Sequence, residues 1–162
     1  MKPIFAALLL FFVWFAPAAA LPRAVVFDFE LIDTSAEGDL RGKREDETKR
    51  LGLMGQTLRD ALAAKRLYEV VDVSPVRAQV AKERALHDCN GCVERIAAPL
   101  GVDVAFIGYV QKVSNLILNV NVEIRDVKTG AVLKVVSADI RSNTDQSWLR
   151  GLNFLIDNRL SN

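Results

Sequence analysis

The clearest pattern of apolar and polar positions lies in residues 115–125, where the two kinds of residue alternate. Such alternation is typical of a β-strand that buries one face and leaves the other in water. The apolar even positions are Leu116, Leu118, Val120, Val122 and Ile124, and the polar odd positions are Asn119, Asn121, Glu123 and Arg125. An apolar run over residues 102–113 predicts a preceding strand, and a turn over residues 126–130 predicts a hairpin returning over residues 131–141.

The first half of the chain alternates between strand and helix patterns. Residues 24–30 (AVVFDFE) predict a first strand with Val25, Phe27 and Phe29 on one face, and residues 31–45 predict a mobile polar loop. A helix is predicted from about residue 46, because apolar residues then recur at helical spacing. Its apolar positions are Leu51, Met54, Leu58, Ala61 and Leu62. Residues 68–73 (YEVVDV) predict the next strand.

Two shorter helices and one longer helix are predicted further along the chain. Ser74 and Pro75 supply an N-cap and a first helical residue, so a helix should run to about residue 86. A turn at residues 88–91 leads into a helix over residues 92–100, which Gly101 should end. The last helix is predicted over residues 144–160, with an apolar stripe made of Trp148, Leu149, Leu152, Leu155 and Ile156.

This order of elements predicts an α/β fold. We expect an α+β sandwich in which helices pack on one face of a mixed, mainly antiparallel sheet of about five strands. A single domain over residues 21–162 is expected, because a segment of this length is enough for one hydrophobic core.

Residues 1–20 predict a secretory signal peptide. Lys2 precedes an apolar run over residues 4–15, Pro17 interrupts that run, and alanines at residues 18–20 form a cleavage signature. The run is shorter than the roughly 20 residues that a membrane-spanning helix needs. We therefore expect cleavage after Ala20 and a periplasmic protein with no stable membrane anchor.

The charge of the chain limits the kinds of partner. With 21 basic and 20 acidic residues the net charge is close to zero. Nucleic acids and anionic membranes bind proteins largely through excess positive charge, so neither is expected as a partner. We expect instead another periplasmic or envelope protein.

The two cysteines, Cys89 and Cys92, form a Cys-Asn-Gly-Cys motif. In an oxidising compartment such an isolated pair predicts a structural disulfide. Thiol–disulfide exchange is an alternative, because the pair precedes a predicted helix whose dipole would lower a thiol pKa. A zinc site would need two further ligands, for which His87 is the only obvious candidate; we interpret His87 as an exposed residue at a helix end.

No pattern in the chain indicates catalysis. A Ser-His-Asp triad would have to use His87, and no serine lies in a G-x-S-x-G motif. The segment from Gly38 to Lys43 is one residue too short for a phosphate-binding loop. Asp28 and Glu30 share a strand face and are either a carboxylate pair or two solvated acids. We therefore predict a non-enzyme without metal or cofactor.

The polar positions of the alternating strand, Asn119, Asn121, Glu123 and Arg125, are called the ladder below. Asparagine is depleted in strands, so its use at two ladder positions needs a reason. Recognition of a partner protein supplies that reason, and simple exposure to solvent is the alternative. Replacing the asparagines with threonine should separate the two interpretations.

Four phrases of the sequence, in this order, resemble a known family. They are AVVFDFE, LRDALAAKRLYEVVD, IAAPLGVDVAFIGYV and LILNVNVEIRDVKTGAVL. The chain is similar to the N-terminal domain of TolB and to its relatives among secretion-channel and cell-wall-activator lipoproteins. A closer likeness, through YVQKVSNLILNVNVEIRDV and SADIRSNTDQSW, is to an uncharacterised family of small exported bacterial proteins. The resemblance implies fold and location rather than mechanism.

These observations together predict a non-enzymatic periplasmic binding or adaptor protein that acts through protein–protein contacts in the cell envelope. The alternative is a small periplasmic thiol–disulfide protein that uses Cys89 and Cys92. A third interpretation, a ligand carrier with a cleft beneath residues 31–45, has no support from individual residues.

Overall fold

A computed structural model describes residues 20–161 and contains a six-stranded mixed sheet with the order β3-β1-β4-β5-β6, in which β2 also pairs with β4. The strands are β1 (Arg23–Val26), β2 (Glu30–Asp33), β3 (Glu69–Val71), β4 (Val104–Ser114), β5 (Ile117–Asp126) and β6 (Val132–Ile140). The pairings of β1 with β3 and β4, and of β2 with β4, are parallel, whereas the long β4–β5–β6 pairings are antiparallel. The predicted α/β fold is confirmed. Residues 1–19 of the predicted signal peptide lie outside the described residues.

Five α-helices accompany the sheet within residues 20–161. They are α1 (Ala36–Arg41), α2 (Glu45–Ala64), α3 (Arg77–Val80), α4 (Cys92–Ala97) and α5 (Asp145–Leu155). The last of them begins where Thr144 accepts a hydrogen bond from the backbone of Ser147, as an N-cap residue does. In this part of the chain no helix is long and apolar enough to span a membrane.

The first face of the sheet is covered by α2 and α5. Apolar residues of both helices and of every long strand form one core, with Leu58, Phe106 and Trp148 fully buried. Close packing needs small residues at two points. The ring of Phe29 lies where a side chain at Gly108 would be, and a Cβ at Gly151 would lie 2.6 Å from Ile140 Cγ2.

The second face is covered only in part. A separate core lies on this face, between the sheet and α4. The sheet and the residues directly after β1 contribute Val25, Phe27 and Ile107, and α4 contributes Val93 and Ile96. The prediction that helices pack on one face is therefore wrong, because β1 and β4 are apolar on both sides and need cover on both. On this face the cover reaches the beginning of β4 but leaves β6 open, where Leu133, Val135, Ser137 and Asp139 are all exposed.

The segment after β1 differs most from its prediction. The single strand predicted over residues 24–30 is divided, since β1 ends at Val26 and β2 begins at Glu30. Arg59 donates to the Val26 carbonyl (3.0 Å) and to Asp28 (3.2 Å) at this break, and Phe29 joins the first-face core instead of lying with Val25 and Phe27. The prediction of a loop over residues 31–45 is also wrong, because this segment contains most of β2 and all of α1.

Two element ends also fall short of the prediction. The helix predicted over residues 74–86 is a 3₁₀ turn followed by α3, which ends at Val80. Further along, Glu30 accepts backbone hydrogen bonds from Leu86 (2.6 Å) and His87 (3.1 Å), where a helix had been predicted to end. Leu116, predicted to be buried, is 69% exposed because it lies in the β4–β5 turn.

Candidate functional site

The ladder lies on the second face of the sheet, in the middle strand of the three antiparallel strands. Strand register places Asn119 between Gln111 and Asp139, and Asn121 between Tyr109 and Ser137. The Asn119 amide donates to Asp139 Oδ1 over 2.7 Å, while the Asn121 amide donates to the Asn119 carbonyl at 3.4 Å. The ladder is therefore linked sideways to β6 as well as along β5.

The ladder is less exposed than the sequence pattern predicted. Asn121 is 6% exposed and Glu123 is 9% exposed, so the expected fully solvated face is wrong at these two positions. Neighbouring side chains on adjacent strands stand about 5 Å apart, and the side chains beside Glu123 on this face are Ile107 and Val135. Asn119 and Arg125 are half-buried.

Arg125 joins the ladder to the cysteine loop. Its guanidinium donates to the Glu123 carboxylate and, at 3.5 Å, to the Cys89 carbonyl, and it lies 3.7 Å from Glu94 Oε1. Cys89 and Cys92 are linked by a disulfide, with Cα atoms 5.8 Å apart. The structure therefore brings together the cysteine pair and the ladder, which the sequence presented as separate features.

His87 extends this surface toward β2. Its Nδ1 lies 2.5 Å from Glu30 Oε2, and its ring lies against that of Tyr109 with 5.2 Å between centroids. Burial, together with the nearby Glu123 charge, raises the pKa of the Tyr109 hydroxyl. His87 is thus half-buried and partnered rather than exposed at a helix end.

The proposed carboxylate and metal constellations do not assemble. Asp28 pairs with Arg59 and Glu30 pairs with His87, so the two acids face different partners. Within residues 20–161 no group of three His, Cys, Asp or Glu side chains is placed to hold a metal ion.

Two cavities lie on either side of the segment between α3 and the disulfide. They measure about 450 and 300 Å³, and Leu31, Arg84 and His87 line both. The larger cavity reaches Cys89, and the smaller one extends beneath Lys43 toward Phe29. A cleft therefore does exist beneath residues 31–45.

A buried polar cluster on the first face was missed by the sequence analysis. The Lys112 side chain is fully buried, and its Nζ lies 2.7 Å from Glu47 Oε1, 3.0 Å from Asp33 Oδ2 and 3.6 Å from Glu37 Oε2. Burial opposes the charged form of Lys112, but hydrogen bonds to Glu47 and Asp33 outweigh it and raise the pKa. A lysine in a mainly apolar strand, on the same face as Phe106 and Val110, was the signal that could have revealed this cluster.

Amide side chains connect this cluster to the start of α5. Asn143 donates to Glu47 Oε1 at 2.6 Å and to Asn115 Oδ1 at 3.0 Å, and Asn115 donates to Glu37. Arg50 donates to Asn143 and Asp145. The phrases YVQKVSN and SADIRSNTDQSW therefore meet around α2. We call Lys112, Asp33, Glu37, Glu47, Asn115 and Asn143 the Lys112 network.

A family model matches residues 22–160 of the chain, and its description is "Protein of unknown function (DUF2380)". The name of the matching family is DUF3280, and the chain belongs to it. The predicted membership of an uncharacterised family is confirmed. No curated protein sequence matches the chain.

Several solved structures share the fold at low identity. The LpoB C-terminal domain from Escherichia coli is 14% identical, with a TM-score of 0.54 over 78% of this chain and 87% of that one. Lipoprotein GNA1162 from Neisseria meningitidis is 16% identical, with a TM-score of 0.53 over 87% of this chain and 97% of that one. TolB from Acinetobacter baumannii also matches, at 10% identity and a TM-score of 0.43 over 87% of this chain and 29% of that one.

Proposed function

We propose that this chain is a non-enzymatic binding or adaptor protein of the periplasm that acts through protein–protein contacts in the cell envelope. Its fold is shared with a domain of LpoB and with a protein named as a lipoprotein, which supports an envelope location. We place its main contact surface at the ladder.

The observation that supports this site is the incomplete cover of the second face. At one end of the ladder Asn119 lies beside exposed apolar side chains, since Val113 and Ile117 line a cavity together with it and are each more than half exposed. Apolar side chains around a few hydrogen-bonding groups are the composition of a protein interface. Because Glu123 and Arg125 already neutralise each other, amide hydrogen bonds and apolar contact would dominate recognition.

The test replaces both ladder asparagines with threonine in one chain. Thr is at least as good a strand former, so the melting temperature should change little. Capture of envelope proteins from periplasmic extract, followed by titration of the captured protein, should show an affinity about tenfold lower. The matched control is Asn153→Thr, an exposed position on α5 outside the ladder.

Unchanged affinity together with an unchanged melting temperature would show that the ladder asparagines do not bind a partner. A large loss of stability in the double variant would show that Asn121, which is 6% exposed, serves packing instead of recognition.

Export with cleavage after Ala20 is part of this proposal. The apolar run and the alanines that follow it support it. Mass spectrometry of the protein purified from the periplasm should find Leu21 at the N-terminus. Recovery of the uncleaved chain in the membrane fraction would contradict it.

A second candidate function is thiol–disulfide exchange by Cys89 and Cys92. The observation that favours it is the cavity of about 450 Å³ that reaches Cys89 beside His87, which would admit a substrate chain. A reduction potential of about −120 to −200 mV, the range of dedicated exchange proteins, would support this function. A potential below about −300 mV would identify a structural disulfide.

A further inference from the structure

The two ends of the sheet differ in how much open edge they present. At one end β3 has only three residues (Glu69–Val71), whereas at the other end β6 has nine residues (Val132–Ile140). Among residues 20–161 no strand pairs with the outer edge of β6. Long open edges invite the addition of a further strand, and proteins usually shorten or cover them.

A groove runs beside this open edge, between β6 and α5. It has a volume of about 750 Å³, and its walls include Ala138 and Ile140 from the strand and Gly151 and Phe154 from the helix. Phe154 is 47% exposed although it is a large apolar side chain. In an added strand every second side chain points to the same face of the sheet. An apolar groove beside an open edge can therefore bind those side chains.

The charges of the groove indicate what would lie in it. Arg141 and Arg150 line it and are both exposed, and neither has a carboxylate partner within the described part of the chain. The one acid of the groove, Asp139, accepts the Asn119 amide instead. Strand β6 of a second copy would offer these cations only one acid, Asp139, which already accepts the Asn119 amide, so self-pairing is disfavoured.

We infer that the outer edge of β6 binds an extended acidic segment of a partner protein as an added strand. Backbone hydrogen bonds to β6 supply the affinity, an apolar residue of the segment contacts Phe154, and acidic residues contact Arg141 and Arg150. This inference goes beyond the ladder, because it concerns the edge of the sheet rather than its second face, and either site can fail without the other.

The probe is a synthetic peptide as long as β6, in which every second residue is threonine and the others alternate between valine and glutamate. A matched peptide has lysine in place of glutamate. Fluorescence anisotropy should show that the full mature protein binds the glutamate peptide about five- to tenfold more tightly than the lysine peptide. Amide hydrogen exchange in β6 should slow when the glutamate peptide binds.

Charge reversal gives the decisive comparison. The double variant Arg141→Glu and Arg150→Glu changes exposed positions and should reverse the preference, so that the lysine peptide binds more tightly. Lys82→Glu, an exposed cation outside the groove, should leave the preference unchanged, as should the ladder variant Asn119→Thr with Asn121→Thr.

Three results would overturn the inference. The first is that neither peptide binds the unaltered protein, or that both bind equally. The second is that reversing the charges leaves the preference as it was. The third is slow exchange in β6 without peptide, accompanied by a concentration-dependent dimer in sedimentation, which would assign the edge to a second copy.

Discussion

On the first face of the sheet α2 and α5 bury Trp148 and Phe106 completely, whereas on the second face α4 leaves β6 open. The polar groups follow the same division. Lys112 on the first face is buried among carboxylates, while Asn119 on the second face is half-buried and within reach of a partner. We therefore expect the closed face to contribute most of the stability, and we propose the open face as the one that binds a partner.

The largest effect is expected from Lys112→Met. Removing the ammonium leaves Glu47, which is 1% exposed, without its charged partner, and such a loss costs about 3–5 kcal/mol in the free energy of unfolding. Urea denaturation of the variant measures this cost. Lys128→Met, at an exposed position of the β5–β6 hairpin, is the control and should change the value little.

Replacing Glu47 with Met in the same chain should recover much of the stability, because the buried charge is then removed. A cost below about 1 kcal/mol for Lys112→Met alone would show that the closed face does not depend on its charges.

A smaller effect is expected where α5 meets β6 on the closed face. The new Cβ of Gly151→Ala would lie 2.6 Å from Ile140 Cγ2, so the helix must shift and the variant should lose about 1–3 kcal/mol. The matched variant Gly52→Ala lies on α2 with open space around it, and it should gain about 0.5–1 kcal/mol through helix propensity. Thermal denaturation of the pair measures both changes, and equal behaviour would contradict the tight packing described for α5.

The smallest effect is expected on the second face. Replacing both Cys89 and Cys92 with Ser opens a loop that spans a sequence separation of only three, so the entropic loss is at most about 2 kcal/mol. The Arg125 contact to the Cys89 carbonyl involves the backbone and should remain. A loss larger than that of Gly151→Ala in the same assay would place a main source of stability on the open face and break the comparison.

Much of the fold was predictable from local patterns. The apolar spacing around Leu58 predicted α2, the alternation around Val120 predicted β5, and Thr144 marked the beginning of α5. These predictions succeeded because helix and strand periods place side chains on a face whatever lies further along the chain. The candidate site was predictable only in part, since its ladder was visible but its burial and its contact with Cys89 were not.

The sequence by itself determined most of the longer elements, the class of fold and the alternation along β5, because these depend on residues close together in the chain. Only the tertiary structure decided what covers each face. Lys112 and Glu47 are 65 positions apart, and Arg125 and Cys89 are 36 positions apart, so no local period connects them. At the break after Val26, which sends Phe29 to the other core, the Val26 carbonyl accepts a hydrogen bond from Arg59, 33 positions along the chain. Side-chain period specifies the direction in which a residue points, but strand order and helix packing specify what it meets there.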